Sequence, residues 1–139
     1  MKLTLTLILV SSSALLLAGC AAATPETVTP ETITPAEGLT YGSVEDLREA
    51  FESAGGECDG WVQSNQVKAA AESGACGTKA VLSTFASESD RDDSASTLKM
   101  LMADVGGVEL LVGANWIINS DGVSELQETL GGTIINSKQ

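Results

Sequence analysis

From Tyr41 onward, apolar residues recur in two rhythms. At helical spacing, Val44, Leu47, Phe51 and Ala54 share one face of a segment that Ser43 can cap, with Glu45 and Asp46 at the positive end of the helix dipole. A helix is predicted over about 43–54. A second is predicted over about 94–105, with Leu98, Leu101, Met102 and Val105 inward, and a third over about 122–130, with Val123, Leu126 and Leu130 inward and Asp121 as its cap. Gly55-Gly56, Gly106-Gly107 and Gly131-Gly132 follow these three segments as stop signals, because glycine reaches the left-handed conformation cheaply.

The second rhythm is that of strands. Val67, Ala69 and Ala71 fall on one face of 67–72 with Lys68 and Glu72 on the other, and 79–86 can return antiparallel through a turn from Ser73-Gly74 to Gly77-Thr78. The apolar run 108–118 reads as a central strand, and Thr133 to Asn136 as a short final one. The order α-β-β-α-β-α-β predicts an α+β two-layer domain, with a mixed four-stranded sheet carrying about three helices.

Ahead of this domain the pattern is different. Met1-Lys2 opens the chain, residues 3–17 carry no charge and are rich in Leu, and Leu17-Ala18-Gly19-Cys20 follows. A short positive start, an apolar stretch and small residues before a cut describe a secretory signal, whereas a membrane-spanning helix needs about 20 predominantly apolar residues. Leu17-Ala18-Gly19-Cys20 resembles the lipobox of bacterial prolipoproteins residue for residue. The resemblance implies diacylglycerol on the Cys20 thiol, cleavage between Gly19 and Cys20, and acyl (palmitate-type) chains holding the new N-terminus in a cell membrane on its extracytoplasmic face. Two or more such chains suffice for stable anchoring, at about 0.8 kcal/mol per buried CH2. The expected organisation is a signal peptide over 1–19, lipidated Cys20 with a tether over 20–40, and the globular domain over 41–139.

The tether is a repeat. Thr-Pro-Glu-Thr-Val, Thr-Pro-Glu-Thr-Ile and Thr-Pro-Ala-Glu follow one another over 24–37 and hold all three prolines. Proline fixes φ and biases its predecessor toward extended geometry, so a stretched spacer of roughly 40 Å is expected. Thr24, Thr27, Thr29, Thr32 and Thr34 would also suit an O-glycosylated stalk or a partner-docking peptide.

Composition narrows the chemistry. Of 139 residues, 7 are Lys or Arg and 19 are Asp or Glu, for a net charge of −12, and there is no His. Such a chain repels phosphate backbones, which argues against nucleic-acid binding, and it repels anionic headgroups, so the domain should stand off the membrane. Without His the commonest general base and zinc ligand are missing, no Ser-His-Asp triad can form, and no G-x-S-x-G or phosphate-cradling glycine loop occurs. The acidic run Glu88-Ser89-Asp90-Arg91-Asp92-Asp93 fails the calcium-loop frame, lacking Gly at the sixth position from Asp90 and placing Leu101 where the bidentate Glu belongs; it reads as a solvated loop. No metal site and no cofactor is expected.

With Cys20 assigned to lipid, Cys58 and Cys76 form an even pair in an exported domain, which reads as a structural disulfide rather than a redox or metal pair. Trp61 is expected to pack beside it and Trp116 to lie in the core. Val112-Gly113-Ala114-Asn115-Trp116-Ile117-Ile118, followed by the last helix and Gly131-Gly132-Thr133 and preceded by the Cys pair, resembles small lipoproteins of high-GC Gram-positive bacteria over about 41–136. That likeness implies an envelope location and the disulfide, and no mechanism. The sequence thus points to a lipid-anchored, non-enzymatic module that meets an envelope protein. The alternatives are a small-ligand or ion-binding lipoprotein using a site near Trp61, Trp116 or the acidic run, and an enzyme with a carboxylate site.

Overall fold

The computed structural model describes residues 38–103 and 109–136. Residues 1–37, with the signal, Gly19, Cys20 and most of the tether, lie outside them, as do Val105 and Gly106-Gly107. Among the described residues the fold is α+β, with three helices and a six-stranded sheet. In chain order the elements are α1 (Val44–Ser53), β1 (Trp61–Gln63), β2 (Glu72–Cys76), β3 (Ala80–Thr84), α2 (Glu88–Ala103), β4 (Glu109–Val112), β5 (Trp116–Ser120), α3 (Val123–Leu130) and β6 (Thr133–Asn136).

The strands lie in the order β1-β2-β3-β5-β4-β6, and every pairing is antiparallel, so the sheet is neither mixed nor four-stranded. The apolar run 108–118 is a hairpin rather than one strand. β4 and β5 pair with Leu111 opposite Ile118, and Gly113 N–H closes the turn by donating to Trp116 O at 2.9 Å. Both faces of this hairpin are covered, so its residues are apolar on both sides and the usual alternation vanishes.

The covering comes from two directions. Val44, Leu47 and Phe51 of α1 and Val123, Leu126 and Leu130 of α3 pack on one face against Leu82, Leu111, Trp116 and Ile118. On the other face α2 contributes Ala95 and part of Leu98 to a smaller cluster with Phe85, Leu110, Val112 and Ile117. Helices therefore lie on both faces of the sheet, and the expected two layers become three.

The other differences are local. Residues 67–71 are not a strand, and of the predicted 67–72 only Glu72 joins one, as the start of β2. The amides of Ser64 and Asn65 donate to Ser73 O, Asn65 Oδ1 accepts from Ser73 N–H at 2.9 Å, and Ser73 Oγ accepts from Val67 N–H at 3.1 Å. These bonds wrap the segment into a loop around buried Ser73, and Ser73-Gly74 sits inside β2 rather than in a turn. Alternating alanines carry little strand preference to resist this. α2 begins six residues before its predicted start, so Glu88 to Asp93 are helical rather than a free loop. Ser87 closes that end, its Oγ accepting from Asp90 N–H at 3.2 Å and donating to Asp90 Oδ2 at 2.7 Å. Ser43 caps α1 as expected, accepting from Asp46 N–H. α3 is instead capped by Gly122 in the left-handed region at φ 71°, with no side-chain bond from Asp121.

Candidate functional site

Arg91, Phe85 and residues 39–41 meet at the turn of the β4–β5 hairpin, Gly113-Ala114-Asn115, and at Trp116 beside it. On one side the turn receives Arg91 from the second turn of α2. That side chain has no solvent exposure; its Nη1 donates to Gly113 O at 3.1 Å and to Ala114 O, while Nε and Nη2 donate to Asp92 Oδ1 at 2.9 and 2.8 Å. A buried guanidinium needs several acceptors and a counter-charge, and here two turn carbonyls and one carboxylate supply them. Phe85 N–H, just past β3, donates to Asn115 O at 2.8 Å and fixes the same turn from a third direction.

The turn also holds Leu39 and Tyr41, at the predicted boundary between tether and domain. Asn115 Oδ1 accepts from Tyr41 N–H at 3.0 Å, and Asn115 Nδ2 donates to Tyr41 O at 2.8 Å. The carboxamide thus pairs with a main-chain peptide as a neighbouring strand would. Trp116 Nε1 donates to Leu39 O at 2.8 Å, and the Tyr41 ring stands edge-on to the indole with centroids 5.9 Å apart. Trp116 is core, as expected, and its polar atom is already spoken for. The Tyr41 hydroxyl is buried with no partner among the described residues, and burial raises its pKa above the usual phenol value.

The disulfide joins Cys58, after α1, to Cys76 at the end of β2, with Cα atoms 4.5 Å apart. Trp61 pairs with Cys76 in the sheet and packs beside the bridge, as its position predicted. Its ring lies over Gly74, where a Cβ would come within 2.2 Å, and the Arg48 guanidinium stands 5.7 Å from its centroid. Arg48 is itself bridged to Glu45 at 2.8 Å.

A polar cleft of about 420 Å³ opens where α1 ends and α3 begins, lined among others by Phe51, Glu57, Lys79, Asp121, Glu125 and Leu126. Lys79 Nζ bonds Glu57 Oε2. The hydrogen bond and charge of Lys79 lower the Glu57 pKa; those of Glu57, then the charge of Asp59, raise that of Lys79. Both groups are exposed, so water screens the pair. Among the described residues no group of three or more His, Cys, Asp or Glu is placed to hold a metal ion. The acids of α2 do not gather: Asp92 serves Arg91, Asp90 serves Ser87, and Asp93 borders a shallow apolar groove of about 250 Å³ with Val67, Ala69 and Leu98.

Sequence reasoning missed Arg91 and Asn115. Asn115 carried a readable signal, a lone amide inside an apolar run. Arg91, between three Asp residues, looked like a solvated charge. Among the described residues no helix is long and apolar enough to cross a membrane. Comparison with protein-family profiles, curated proteins and solved structures finds no match to this chain.

Proposed function

We propose that the chain is a lipid-anchored extracytoplasmic lipoprotein of the cell envelope, whose globular domain is a non-enzymatic module for contact with an envelope protein. The observation that carries the reading is the seating of Leu39–Tyr41 on the Asn115–Trp116 turn, directly after the Thr-Pro-Glu repeat. While residues 39–41 are seated, the chain ahead of them leaves the domain beside this turn. Acyl groups on Cys20 supply the anchor and residues 20–37 the reach. Met100 and Leu101 are 73% and 64% exposed side by side on α2, an adjacent apolar pair and a natural contact for a partner.

The test has two arms in cells. Cys20→Ala should move the protein from the membrane fraction to the soluble one; persistence with membranes overturns the anchor. Cross-linking of the tagged parent should capture a specific envelope protein that M100S/L101S loses, and capture unaffected by that variant overturns the assigned surface.

A second reading rests on the Glu57–Lys79 cleft, whose size falls in the range of small-molecule sites. It assigns the domain to a small ligand or ion, and a thermal shift abolished by K79A would favour it.

A further inference from the structure

We propose that residues 39–41 are a detachable strap, which leaves the Asn115–Trp116 turn as a unit while the sheet and its helices stay folded. The strap belongs to no helix or strand of the described fold. Among the described residues its polar attachments are three hydrogen bonds, all to the side chains of two adjacent residues. Leu39 is 62% exposed and Thr40 is exposed, so two of its three side chains contribute little burial. The third, Tyr41, packs its ring on Trp116 but carries a buried hydroxyl with no partner among the described residues. A buried hydroxyl without a partner favours whichever state lets water reach it, and here that is the detached state.

The turn does not depend on the strap. Arg91 bonds to Gly113 O and Ala114 O, Phe85 N–H to Asn115 O, and Gly113 N–H to Trp116 O, all from within the folded domain. Detachment thus severs the Asn115 and Trp116 side-chain bonds and leaves the braces in place. Segments held by few contacts and much exposed backbone open at lower free energy than the core around them. Opening lets water reach the Trp116 indole edge and frees about 10 Å of extended chain. The inference stands on these contacts alone, so its failure and that of the lipid anchor are separately visible.

Native-state hydrogen exchange on the full chain tests it. The Tyr41 amide, whose acceptor is Asn115 Oδ1, should exchange at least about a hundredfold faster than the protected amides of β5, and its rate should change little with mild denaturant while theirs rises. Tyr41→Phe, which removes the unpartnered hydroxyl and keeps the ring, should slow exchange at position 41 about tenfold. Asn115→Ala should raise it toward the rate of open chain while the β5 amides stay protected. Exchange at position 41 that matches β5 in rate and denaturant dependence overturns the strap. So does a Tyr41→Phe variant with an unchanged rate at that amide. The Phe variant perturbs packing least, so the answer does not hinge on whether the Asn115 variant folds.

Discussion

Gly113 and Trp116 compete for one volume. A Cβ on Gly113 would sit 1.9 Å from indole Cε2, and the indole is fully buried with nowhere to move. Gly113→Ala should therefore destabilise the domain by about 2–3 kcal/mol, a loss of about 10 °C or more in a thermal melt followed by circular dichroism. An unchanged melt would mean that Trp116 is not packed as described. Arg91→Leu removes the donor from two turn carbonyls and the partner from Asp92, and should cost about 3 kcal/mol. Arg91→Lys should recover little of it, since an ammonium cannot span both carbonyls and the carboxylate in the guanidinium's fork; denaturant titration reads both. The single tyrosine gives a pH prediction with a defined sign. Burial raises its folded-state pKa, so the folded chain holds the phenol proton more tightly than the unfolded one. The stability linked to it is complete below the ordinary value of about 10 and falls as pH rises through the higher folded value. Phenolate absorbance should thus appear late in an alkaline titration, and earlier in Asn115→Ala; a midpoint at or below the ordinary value would contradict the buried placement.

At the scale of elements, legibility followed chemistry. α1 and α3 were readable because their buried faces are large and apolar at helical spacing and their flanking Ser or Gly residues mark the ends. α2 begins earlier than predicted because its buried face is Arg91, Ser94 and Ala95, polar or small, while Leu101, predicted to point inward, is exposed. The β4–β5 hairpin read as one strand because helices cover both faces, and a Gly-Ala-Asn turn between apolar legs lacks the stronger Asn-Gly type of signal. β1 was invisible at three residues. The Cys58–Cys76 bridge was legible from count and setting, and it joins the loop after α1 to β2 across 18 residues. In the chain-entropy account such a closure contributes about 3 kcal/mol. C58A/C76A should unfold at correspondingly lower denaturant, and an unchanged midpoint would remove the bridge from the energetics. The turn as a meeting point was not legible, because Asn115 takes its meaning from Tyr41, 74 residues away in sequence.

For the whole molecule, the proposed lipoprotein joins three parts in chain order: a lipobox-like Leu17-Ala18-Gly19-Cys20, a Thr-Pro-Glu repeat, and the α+β domain, in which residues 39–41 seat on one turn. On the proposed lipid anchor, a net charge of −12 would disfavour contact between the domain and anionic headgroups. Everything assigned to the envelope depends on the thiol of Cys20. Mass spectrometry of the N-terminal peptide from the membrane-extracted protein tests that directly. The account predicts a peptide that begins at Cys20 and carries the mass of a diacylglyceryl thioether, and a peptide that begins at Met1, or an unmodified Cys20, would contradict it.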